Sequence, residues 1–185
     1  LRQPPGALAL AASLAALQGC EAACVLPSTL HLFWDLFGML ASERLVILID
    51  GGSYAIARWG AERAQALGLP RQVFPSGEVA ALILADGYVP GSEQVLPLAG
   101  YAALARQGGG YLLLDDTQVL GVMGASGGGS ARLHGLSGGY DKAGGHLIVG
   151  ASLAKGFGVP LAVLAGSGTL LRRFAAHSQT RVHAS

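Results

Sequence analysis

The chain has 185 residues, 51% of them hydrophobic and only 12% charged, with 12 basic against 11 acidic side chains and 29 glycines. That length and apolar fraction suit one domain with a large core and exclude a disordered chain, while a net charge of +1 without basic runs leaves no electrostatic footprint for nucleic acid. The glycines have no three-residue period, which excludes collagen, and two cysteines are too few for a disulfide scaffold, in keeping with a reducing compartment.

In chain order, Ala7 to Leu17 is an alanine-rich helix that places Leu10, Leu14 and Leu17 on one face and is closed by Gly19. With Arg2 before it and Cys20 after it, the segment also resembles an export signal ending in a lipid-attachment cysteine, a reading outweighed by the helical spacing. The leucine at position 1 is what a chain lacking its first residues would show. Strands are then predicted at Ala22 to Leu26, Leu45 to Asp50, Arg71 to Phe74, Ala81 to Asp86, Tyr111 to Asp115, Leu147 to Ser152 and Leu161 to Ala165. Helical patterns run from Thr29 to Leu40, Ser53 to Leu67, Ser92 to Arg106 and Gly168 to His177. This alternation, with mostly continuous apolar strands, predicts an α/β doubly wound, mainly parallel, seven-stranded sheet covered on both faces. Gly121 to Gly145 holds 10 glycines in 25 positions and reads as a long surface loop. No stretch reaches the roughly 18 to 20 apolar residues needed to cross a bilayer, so no membrane segment is expected.

Several strands end in or near a polar residue: Ser28, Asp50, Asp86, Asp115 with Asp116, and Ser152 with Lys155. In open parallel sheets the ligand crevice lies beyond the carboxyl ends of the strands, so these residues can converge although far apart in sequence. Each acidic or hydroxyl residue taken singly fits a helix cap equally well. Lys155 caps nothing; flanked by glycine, it is either a solvated turn lysine or a partly desolvated amine able to form a Schiff base with an aldehyde. In the second case Asp115 can hold a pyridinium nitrogen protonated, the pairing characteristic of pyridoxal phosphate.

Three ordered segments carry a family resemblance. Asp115-Asp116-Thr117-Gln118-Val119-Leu120-Gly121-Val122-Met123-Gly124 resembles the strand-end motif D-[ED]-[AS]-H-x-x-G-x-x-G of the α-oxoamine synthases, which are fold-type I pyridoxal-phosphate enzymes. Ser152-Leu153-Ala154-Lys155-Gly156-Phe157-Gly158 is similar to their lysine motif [TS]-x-x-K-[AG]-x-G, and residues Glu21 to Ser28 resemble the strand that leads into their phosphate turn.

The resemblance implies that Lys155 forms the Schiff base and Asp115 pairs with the pyridine nitrogen. Ser28, Thr29 and Leu30 fall on the phosphate turn, where N–H groups at a helix start hold the phosphate and Ser152 can add a hydroxyl. Tyr54 matches the residue whose ring lies over the cofactor, and Asp86 matches the acidic residue of the family's S-M-D-G segment. The implied function is condensation of an amino acid with an acyl-CoA with loss of CO2, by a cytoplasmic homodimer; an aminotransferase using the same lysine and aspartate is the runner-up. Residues 1 to 185 would form the cofactor-binding large domain, and the family's small C-terminal domain, with its substrate-carboxylate arginine, is absent from the sequence. Two departures bear on the chemistry. Gln118 stands in place of the motif's histidine and can donate a hydrogen bond but not exchange a proton, and Leu84 replaces the serine of S-M-D-G.

Other classes fit less well. Gly124-Ala125-Ser126-Gly127-Gly128 and Gly135-Leu136-Ser137-Gly138-Gly139 match the hydrolase elbow G-x-S-x-G but lack the strand and helix that must flank the serine, and Ser152-x-x-Lys155 lacks the partner motifs of acyl-serine enzymes. The glycine clusters come too late for a dinucleotide fingerprint. Cys20 and Cys24 have no second pair at zinc spacing and read as buried thiols. The five histidines show no metal spacing; His31 reads as a core or interface residue, and Phe33, Trp34 and Phe37 as a helical core stripe. A non-catalytic interaction domain on the same scaffold remains the competing class.

Overall fold

The computed structural model describes residues 5–43, 45–68, 80–92, 95–136 and 146–180. Helix α1 (Pro5–Gln18) ends at Gly19, whose φ of +70° is the left-handed geometry glycine adopts without strain. It buries Ala11, Leu14, Ala15 and Gln18, whereas Leu10, expected on that face, is 38% exposed. The small alanines let the helix lie close to the sheet, so the buried arc centres on them and Leu10 falls on its margin. Strand β1 (Ala22–Leu26) follows, then α2 (Thr29–Leu40), β2 (Leu45–Ile49), α3 (Ala55–Ala66), β3 (Ala80–Asp86) and α4 (Leu98–Gln107). The chain continues through β4 (Tyr111–Asp115), α5 (Gly129–Leu133), β5 (Leu147–Ser152), α6 (Leu153–Gly156), β6 (Ala162–Gly166) and α7 (Gly168–His177).

The strands form one sheet in the order β1-β6-β5-β4-β3-β2. β2 to β5 are parallel, and β6 runs antiparallel to both β5 and β1. β1 therefore points the same way as β2 to β5, and those five strands all end at one edge of the molecule. Six strands are described where seven were expected; the remaining segment, Arg71 to Phe74, lies outside the described residues.

Alternate strand residues sort to two faces, as the two-residue period requires. Leu82, Leu84, Leu113, Ile148 and Leu164 pack with α2, α3 and α7, while Ile83, Ala85, Leu112 and Leu114 pack with α4, and Ala151 and Val163 with α1. Helix α2 carries the chain from one sheet edge to the other beneath this layer and buries Leu32, Phe33, Leu36, Phe37, Met39 and Leu40. The aromatic stripe splits accordingly: Phe33 and Phe37 are fully buried, whereas Trp34 is 45% exposed, with the Arg63 guanidinium 3.9 Å from its ring.

Two sequence expectations shift. The helix expected from Ser92 begins at Leu98, because Pro97 disfavours helical geometry in the residue before it. The glycine-rich stretch is more than a surface loop. Ala125–Gly127 form a 3-10 turn, and α5 follows with Gly129, Ser130 and Ala131 buried; positions 137–145 lie outside the described residues. No described helix is long and apolar enough to cross a membrane.

Candidate active site at the carboxyl edge of the sheet

The strand ends bring most of the expected residues into one cleft, with a volume of about 130 Å³. Thr29, Tyr54, Asp86, Asp115, Gln118, Ser152 and Lys155 line it, joined by Ile56 and Thr117. Asp86 and Asp115 are opposite one another in the β3–β4 ladder, and Asp115 is opposite Gly150 in β4–β5. By the alternation of the strands, Asp86, Asp115 and Ser152 all project on the face covered by α2 and α3, while Asp116 projects on the other.

Asp115 is 4% exposed. Its Oδ1 accepts the Thr117 N–H at 3.0 Å, and its Oδ2 is buried with no hydrogen-bond partner among the described residues. Burial raises its pKa, against the hydrogen bonds from Thr117 and the positive charge of Lys155, which pull it back down. A buried carboxylate oxygen without a partner costs free energy unless a ligand donor meets it. The orphaned oxygen therefore fits a protonated ring nitrogen.

Asp86 accepts the backbone N–H of Tyr54 at 3.1 Å, which ties the start of α3 to the end of β3. Its pKa is pushed up to about 7, first by burial, with the neighbouring charges of Asp115 and Asp50 adding to the effect against the Tyr54 hydrogen bond. Tyr54 itself is 51% exposed at the mouth of the cleft. Lys155 sits in the one-turn helix α6, which Ser152 caps by accepting the Ala154 N–H at 3.3 Å. Of the two readings open for Lys155, partly desolvated or solvated, the structure shows an exposed side chain, because α6 stands at the rim of the cleft.

At the start of α2, Ser28 is the N-cap; its Oγ accepts the His31 N–H and lies 2.8 Å from His31 Nδ1. His31 is thus a half-buried partner of the cap rather than a core residue. The first N–H groups of a helix have no intrahelical acceptor, so the turn at Thr29 and Leu30 offers donors to an anion. Thr29 lines the cleft, whereas the Leu30 side chain is 50% exposed and does not.

Two strand-end residues belong elsewhere. Asp50 accepts the Gly52 N–H and the Tyr101 hydroxyl, and Asp116 accepts both the N–H and the hydroxyl of Ser130, so each holds a turn. Ser126 is exposed in the 3-10 turn with no strand directly before it, which removes it as an elbow nucleophile; Ser137 lies outside the described residues. Cys24 is buried and Cys20 half-buried. Sequence reading missed Thr117 and Ile56. Thr117 occupies the third position of the strand-end motif, and only its tertiary contacts reveal it.

No family model matches the chain. Its sequence is 32% identical over 137 residues to an 8-amino-7-oxononanoate synthase from Methylococcus capsulatus, a match covering 74% of this chain and 34% of that protein. In sequence the chain is thus similar to part of an α-oxoamine synthase, and solved α-oxoamine synthases share its fold. Among solved α-oxoamine synthases, serine palmitoyltransferase from S. paucimobilis, with bound PLP–myriocin, superposes with a TM-score of 0.77 at 18% identity over 96% of this chain and 47% of its own. The 8-amino-7-oxononanoate synthase from Francisella tularensis gives 0.76 at 18% identity over 96% and 52%. The chain spans about a third of the length of the curated synthase it matches and about half of these solved ones.

Proposed function

We propose that this chain is the cofactor-binding part of a pyridoxal-phosphate-dependent acyltransferase that condenses an amino acid with an acyl-CoA and releases CO2. The reading rests above all on Asp115 Oδ2, buried and without a hydrogen-bond partner among the described residues, set in one cleft with Lys155. Pyridoxal phosphate, when bound, supplies an electron sink for charge developing at the substrate carbon. Lys155 Nζ is the amine that attaches it and the base that moves a proton at that carbon. Asp115 Oδ2 would accept the ring N–H and keep that proton in place. Thr29 and Leu30 offer backbone N–H groups to the phosphate from the end of α2 that Ser28 caps. Tyr54 presents an aromatic face, and Asp86 holds its backbone. Gln118, which lines the cleft, would donate a hydrogen bond to the ring oxygen, and Ser152 orders the turn that carries Lys155.

The synthase relatives support condensation over transamination. A cytoplasmic homodimer is part of the same proposal. The deciding experiment adds pyridoxal 5'-phosphate to the purified chain and then borohydride. A visible absorption band, fixed covalently to Lys155 and lost in Lys155→Ala, is the expected result. If no lysine is labelled, the interaction-domain reading takes its place. In the assembled enzyme, CO2 release that depends on acyl-CoA supports condensation, and conversion to the pyridoxamine form supports an aminotransferase.

A further inference from the structure

Asp115 and Lys155 are forty positions apart; Asp115 ends β4, and Lys155 lies in α6, directly after the end of β5. One residue bridges the two ends, by its side chain toward Ser152 and by its backbone toward Asp115. The Thr117 Oγ accepts the Ser152 N–H at 2.9 Å, at the root of the turn that carries Lys155, while the Thr117 N–H donates to Asp115 Oδ1 at 3.0 Å. The side chain lines the cleft between them. The resembled motif has alanine or serine at this position, so only its serine form carries the hydroxyl that Thr117 has here.

We infer that Thr117 is the positioning residue of this site: it occupies Asp115 Oδ1 so that Oδ2 alone faces the ligand, and it latches that carboxylate to the strand end bearing Lys155. This rests on the cofactor reading above. An oxygen already held by a fixed donor cannot turn away, so the remaining oxygen presents its lone pairs in one direction. The hydroxyl accepts one hydrogen bond from Ser152 N–H and retains its own proton to donate, and the Thr117 hydroxyl and N–H both hold the Asp115 pKa down against burial.

The test compares Thr117→Val, which keeps the shape and removes the hydroxyl, with Thr117→Ser, which keeps the hydroxyl. Three measurements are made on the full chain: the dissociation constant for pyridoxal 5'-phosphate, the carboxyl-carbon NMR titration of Asp115 without cofactor, and the thermal midpoint. In Thr117→Val the affinity should fall about tenfold and Asp115 should titrate at higher pH, while Thr117→Ser stays within about twofold of wild type. Unchanged affinity and unchanged titration in Thr117→Val overturn the inference, as does a lowered thermal midpoint with neither change, which marks a purely structural side chain. If the wild type binds no pyridoxal phosphate but Thr117→Val still moves the Asp115 titration, the latch stands and the cofactor reading falls.

Discussion

At the residue scale, burial raises the pKa of both carboxyl groups that line the cleft, Asp86 and Asp115. Asp86 is 7% exposed and its pKa is raised from 3.8 to about 7, chiefly by burial. A carboxyl that binds its proton more tightly when folded contributes stability that is complete below the unfolded pKa and is lost as pH rises through the folded one. Wild-type stability should therefore fall between about pH 4 and pH 7, by on the order of 2 to 4 kcal/mol from this group. Asp86→Asn keeps an acceptor for the Tyr54 N–H and removes the charge, so urea denaturation should show a flatter pH dependence and a more stable protein at pH 8. Part of the remaining slope belongs to Asp116, whose pKa burial lifts to about 6. An Asp86→Asn variant as pH-sensitive as wild type would show that the carboxyl is ionised throughout.

At the element scale, two helical glycines make opposite predictions. A Cβ at Gly60 in α3 would come within 2.5 Å of the Phe37 ring and 3.1 Å of Phe33, at the contact between α3 and α2. Gly60→Ala should therefore lose about 1 to 3 kcal/mol despite its better helix propensity. Gly100 in α4 has nothing within 4 Å of that position, so Gly100→Ala should gain about 0.5 to 1 kcal/mol in the same denaturation assay. Elements like these were largely legible in the sequence. The helix at Thr29–Leu40, that at Gly168–His177 and the strands at Ala22–Leu26, Tyr111–Asp115 and Leu147–Ser152 have the bounds that periodicity and caps indicate. The short α5 was illegible because glycine-rich sequence hides a helix that Asp116 anchors from outside through Ser130. The site's ordered motifs were legible for the same reason that the strands were, since each follows an apolar run. Thr117 and Ile56 escaped because their placement depends on which strands become neighbours, and the exposure of Lys155 because no local pattern records where a turn meets solvent.

At the scale of the whole molecule, the long crossing helix α2 also holds the end of the described chain. Asp35, 3% exposed in the middle of α2, accepts hydrogen bonds from the hydroxyl of Ser178, the N–H of Gln179, and both the N–H and hydroxyl of Thr180. Asp35→Ala leaves these donors unpaired and opens a gap beneath the sheet. It should cost about 2 to 4 kcal/mol by denaturation and speed amide exchange at Gln179 and Thr180 more than at the strands. Equal protection at those two amides in variant and wild type would show that α7 alone orders them.

The ladder between β4 and β5 has a corollary for how such a chain can change over time. Spacing between the carboxylate and the amine is metered across a rung of hydrogen bonds, Asp115 against Gly150, and not along the thread that joins them. Insertions or deletions in the intervening segment leave that gauge untouched, whereas moving either strand by a single residue swings its side chains to the opposite face and dismantles the pair at once.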